Sequence, residues 1–102
     1  MPNKFEGDME TVARAFLRHV MEQNGERVPG HVAFKVAIEK EECRKLEWVC
    51  HAGKTPVAEA AITRVIKRLM QQDEFRDIEM EKRKPTKQAR VFYRVRASAT
   101  HP

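Results

Sequence analysis

Two basic clusters and a scatter of cysteines and histidines are the residues whose types and spacing could do chemistry. Along 63–71, Thr63, Arg64, Lys67, Arg68 and Gln71 recur at helical steps with no acid between them. A helix face of that kind can reach phosphates and base edges together. The stretch KRKPTKQAR (82–90) places five basic residues in nine, Lys82, Arg83, Lys84, Lys87 and Arg90, and Thr86 and Gln88 add neutral hydrogen-bonding groups. Cys43, Cys50, His31 and His51 raise a zinc question. Four tetrahedral ligands at the usual spacings are absent, and both cysteines read better as small core residues. HAGKTP (51–56) has the shape of the end of a phosphate-binding loop, but Trp48 stands where the motif needs its first glycine. No pair of carboxylates stands out for acid–base work. The expectation is a protein that is not an enzyme and holds no cofactor or metal.

The elements that position these groups follow from hydrophobic spacing. Val12, Phe16, Leu17, Val20 and Met21 make one stripe of a helix capped by Asp8 and running to about Gln23, and Asn24-Gly25 ends it. Val28-Pro29-Gly30 is turn chemistry. Val32, Phe34, Val36 and Ile38 alternate with smaller or polar residues, which predicts a strand over 31–38. Residues 40–52 fit a helix with Cys43, Leu46, Val49 and Cys50 on one face and Trp48 at the core's edge. Thr55 and Pro56 then start a helix to about Gln72, with Ala58, Ile62, Val65, Ile66 and Leu69 inward. Ala60, Arg64, Lys67 and Gln71 lie on its opposite side, flanked by Thr63 and Arg68.

Residues 75–81 and 89–97 both alternate with period two. Ile78 and Met80 share a face that can meet Val91, Tyr93 and Val95. On the other face Asp77, Glu79 and Glu81 can lie across from Arg90, Arg94 and Arg96. The pair predicts a β-hairpin whose loop is 82–88. Phe92 falls on the charged face, where it can stack on a base, seat a partner chain, or be covered by Phe5.

The order helix, strand, helix, turn, helix, long-looped hairpin resembles that of winged helix-turn-helix domains over about 8–97. The run AITRVIKRLMQQDEFRDIE (61–79) is similar to the recognition helix and first wing strand of many bacterial regulators in this superfamily, and the local likeness covers 55–96. The resemblance implies an α+β fold of three helices and a small antiparallel sheet with a hairpin wing. It also implies double-stranded DNA as partner, with helix 56–72 in the major groove and the wing on the backbone. A homodimer through the apolar first helix and a role in transcription or replication control, in a bacterium, phage or plasmid, come with it. The first turn of helix 56–72, PVAEA, lacks base-reading groups and carries Glu59. A protein-interaction module or inhibitor of a macromolecular complex is therefore the alternative, and RNA binding a second.

Bulk composition bounds these readings. The chain has 102 residues, 41% hydrophobic and 34% charged, with net charge +5. That size suits one domain at 8–97, with 1–7 a disordered lead-in and 98–102 a frayed tail. The first fifty residues hold eight Lys/Arg against nine Asp/Glu, and the remainder hold twelve against six. All the excess positive charge therefore sits in the second half, as expected for a face that meets a polyanion. No apolar run approaches the ~18 residues of a membrane span, and two cysteines cannot make a disulfide scaffold. A cytoplasmic, non-membrane protein is expected.

Overall fold

A computed structural model describes residues 5–52, 56–83 and 90–96, with backbone alone at 56, 57, 83 and 90. Helix α1 spans Glu6–Glu22. Its buried Met9, Val12, Ala13, Phe16, Leu17 and Val20 recur at helical steps, wide enough to touch neighbours on several sides. Asn24 and Gly25 follow at φ 55° and 88°, the left-handed pair that turns the chain out of the helix. Glu6 and Gly7, expected in the lead-in, form the first turn of α1.

Strand β1 is only Val28–Pro29, and α2 follows directly over Gly30–Glu39. The strand expected at 31–38 is therefore a helix. Burial falls on Ala33, Phe34, Ala37 and Ile38, a 1-3-1 spacing that only a helix can produce, whereas Val32 is exposed. Pro29, extended at ψ 139°, sets the chain direction at the helix entry.

The single helix expected over 40–52 is two short ones, α3 (Glu41–Arg44) and α4 (Glu47–His51), each preceded by an extended residue, Lys40 and Leu46. Cys43, Trp48 and Val49 are buried and Cys50 is exposed, so the two cysteines do not share a face. Asp8 does not cap its own helix. Its Oδ2 accepts from the Trp48 backbone N–H at 3.1 Å, satisfying a donor in the first turn of α4.

Helix α5 spans Pro56–Leu69, three residues shorter than expected, and a 3₁₀ turn at Asp73–Phe75 leads into β2 (Ile78–Arg83) and β3 (Arg90–Val95). Phe75, expected in a strand, closes the core from that turn beneath the Arg14 guanidinium, 6.0 Å from its ring centre.

The sheet is antiparallel with order β1-β3-β2. Register runs from Ile78↔Val95 through Met80↔Tyr93 to Arg83↔Arg90, so the apolar faces meet as their alternation requires. Ile78 and Tyr93 turn their face to the helices. The core is built around α1, which packs on α2, α5 and the sheet. Phe16 meets Tyr93 edge-to-face at 4.8 Å, and Phe34 meets Trp48 at 6.4 Å. The architecture is α+β, compatible with a winged helix. Among the described residues no helix is long and apolar enough to cross a membrane.

Candidate nucleic-acid interface

Leu69, Ile66, Val65, Ile62 and Ala58 anchor α5 in the core, which turns Ala60, Arg64, Lys67 and Arg68 outward. Gln71, just past the helix end, is exposed beside them. Within the described part of α5 this face carries no acid. One arrives from elsewhere. Glu6, in the first turn of α1, accepts from Arg68 Nη1 at 2.7 Å and from Arg64 Nη2 at 3.2 Å. The two guanidinium groups hold its carboxyl below the usual carboxylate range. Arg64 and Arg68, expected to stand free, thus share an acid. Lys67 is exposed with no acidic partner among the described residues.

Thr63 also differs from expectation. It is half-buried, and its hydroxyl donates to the Glu59 carbonyl one turn back at 3.1 Å. It lines a cleft beside the basic face, together with Glu59 and Tyr93.

The hairpin stem shows how charge is distributed along it. Glu79 accepts from Arg94 at 2.7 Å and pairs with Arg96 at 3.6 Å. Hydrogen bonding to Glu79 raises the Arg94 pKa further above its ordinary value. Glu81 meets Arg27, from the segment before β1, at 3.4 Å. The acids of the stem are thereby engaged below its basic end. Lys82 is exposed on β2 across from Val91. Arg83 and Arg90 form the last described rung through their backbones. Their side chains, and Lys84, Thr86, Lys87 and Gln88, lie outside the described residues. Phe92 is half-buried between Pro29 and Glu81 on the flanking strands, less exposed than its sequence position suggests.

At the other end of the sheet, Arg76 pairs with Asp73 at 2.6 Å, and with Gln71 and Arg96 it lines a shallow polar hollow beside the α5 exit. Cys43 is buried, which pushes its thiol up to about 11. Among the described residues no group of three His, Cys, Asp or Glu side chains is placed to hold a metal.

Sequence reasoning missed Glu6, which is fifty-eight residues from Arg64 and sits at a segment that looks like a lead-in. A carboxylate at the start of a helix was its only local signal. No protein-family model, curated protein or solved structure matches the chain.

Proposed function

We propose that the chain is a winged-helix protein that binds double-stranded DNA, with α5 at the major groove and the β2–β3 hairpin on the adjacent backbone. Regulation of transcription or replication is the role that fits such a module. The observation that carries the reading is the outward face of α5, where Arg64, Lys67 and Arg68 stand together with no acid of their own helix beside them. Support comes also from the sheet order β1-β3-β2 and from a hairpin whose stem acids are engaged by Arg94, Arg96 and Arg27. The paired arginines fit this reading if phosphate displaces Glu6, because an exposed ion pair in water is held only weakly.

One observation favours a second reading. Glu6 already occupies two of the three cations on the face, as an acidic partner protein would. A protein-interaction module is therefore the rival. A homodimer through α1 would have to use its outer edge, where Met21 is 43% exposed, because Val12, Phe16, Leu17 and Val20 are buried in the chain's own core.

Fluorescence anisotropy with random duplex DNA, single-stranded DNA and duplex RNA across a salt series separates the readings. Engagement of ~5–7 phosphates gives a slope of log K against log salt of roughly −5 to −6 on duplex DNA. Absent or salt-insensitive binding to all three nucleic acids leaves the protein-interaction reading standing. Tighter binding to RNA replaces DNA as the partner.

A further inference from the structure

A cleft of about 370 Å³ opens between α5, the first turn of α2 and β3. Phe16, Ile62, Ile66 and the Tyr93 ring give it apolar walls, and Gly30 lies at its edge. A methyl group on Gly30 would stand 3.4 Å from both the Tyr93 ring and the Val91 carbonyl oxygen.

Hydrogen-bond acceptors are prominent among the polar groups of the cleft. Glu59 lines it, half-buried, with no ion pair to its carboxylate among the described residues. Thr63 has committed its proton to the Glu59 carbonyl, so its oxygen presents lone pairs. Tyr93 is 2% exposed, yet its hydroxyl has no hydrogen-bond partner among the described residues. Among the described residues no side-chain oxygen or nitrogen sealed from solvent is left unpaired, so the phenol oxygen keeps some access to solvent, and Tyr93 lines the cleft. Burial, with Glu59 nearby, pushes the Tyr93 phenol up to about 12, so it is a neutral group in this site.

A carboxylate and a hydroxyl whose proton is committed ask for a ligand that donates hydrogen bonds and carries positive charge, and the phenol oxygen can accept one more. The aromatic walls favour the same charge, because ring faces attract cations. The volume lies at the small end of ligand sites and suits a body of one ring or one branched chain. Among the described lining residues, His31 is the one with a basic side chain.

We propose that this cleft binds a small organic ammonium ion, with its nitrogen at Glu59, Thr63 and Tyr93 and its apolar body against Phe16, Ile62 and Ile66. The site does not depend on the DNA reading. It lies one helical face away from Arg64 and Lys67, so an occupant would bear on α5 whatever α5 contacts.

Phenethylammonium is the probe, followed by amide chemical shifts of the full chain, with 3-phenylpropionate as the anionic match in shape. Saturable shifts at Gly30, Thr63 and Val91 with phenethylammonium alone are expected at millimolar concentration. Glu59→Gln should weaken binding about tenfold or more, the usual loss when a charge-assisted hydrogen bond is removed. Tyr93→Phe keeps the ring and should weaken it severalfold, while Lys67→Ala should leave it unchanged. No saturable shift, equal binding of 3-phenylpropionate, or unchanged affinity in Glu59→Gln overturns the proposal. If Tyr93→Phe fails to fold, Thr63→Val supplies the second arm, and unchanged affinity there counts against the site as well.

Discussion

Glu6 Oε1 and Arg68 Nη1 meet at 2.7 Å across sixty-two residues of sequence, and the same carboxylate reaches Arg64. This contact joins the first turn of α1 to the outer face of α5. It makes the charge of that face depend on a residue far from it in the chain. If phosphate competes for these arginines, Glu6→Gln should raise affinity for duplex DNA roughly three- to tenfold at low salt, fading as salt rises. Anisotropy checks this; unchanged or weaker binding removes Arg64 and Arg68 from the interface.

The same contact gives a pH dependence with a definite sign. The folded carboxyl titrates below its ordinary value of 4.5, so the stabilisation it brings is present above that value. It is lost as pH falls through the lower, folded value. Urea midpoints taken from about pH 6 down to about pH 3 should fall less steeply in Glu6→Gln than in the parent chain.

Lys67 and the hairpin end should separate in their salt response. Lys84→Ala with Lys87→Ala should weaken random and preferred duplexes alike and flatten the salt slope by about 2. Arg64→Ala with Lys67→Ala should weaken a preferred site more than random duplex. An unchanged slope in the first variant takes the hairpin out of the interface.

Asp8 ties the start of α1 to α4 through the Trp48 N–H. Asp8→Ala should cost about 0.5–2 kcal/mol, the usual loss when a side chain that satisfies a helix-start donor is removed. Asp8→Asn keeps an acceptor and should restore most of it. Chemical denaturation of the two variants reads the difference, and equal losses would mean that the carboxylate acts through its charge.

The two cysteines should react separately. Cys50 is exposed and Cys43 is fully buried with its thiol pushed up to about 11. A thiol reagent should modify one cysteine quickly in the folded chain and the second only on unfolding. Because the folded thiol titrates above its ordinary 9.0, burial of Cys43 favours folding fully below that pH and progressively less as pH rises toward 11. Two fast thiols at neutral pH contradict the packing around Cys43.

The hairpin was legible because two signals agreed. Period-two alternation set which residues face inward, and the acid–arginine match put Glu79 and Arg94 on one face, where they pair, although Arg90 falls opposite Arg83 and Glu81 opposite Phe92. Helix α5 was legible for a like reason, since its apolar residues recur at helical steps and Pro56 opens it. Segment 31–38 misled because alanine is neutral in an alternation pattern. Val32, Phe34, Val36 and Ile38 suggested a strand, yet Ala33 and Ala37 are fully buried while Val32 faces solvent. The Glu6 contact and the Tyr93 cleft were not legible, since each joins segments that only tertiary packing brings together. Asp8 shows the same limit. Its type announced a cap, and only the fold decided which helix received it.

The middle strand of the sheet, β3, is also the last of the described strands. During synthesis β1 is made sixty-odd residues before the partner it pairs with at Tyr93, and β2 likewise waits for its described neighbour, β3. Neither can join this sheet until β3 has been made, and until then Ile78 has no strand opposite it to complete the apolar face. Any truncation before residue 90 therefore leaves two unmatched edges rather than a smaller version of the protein.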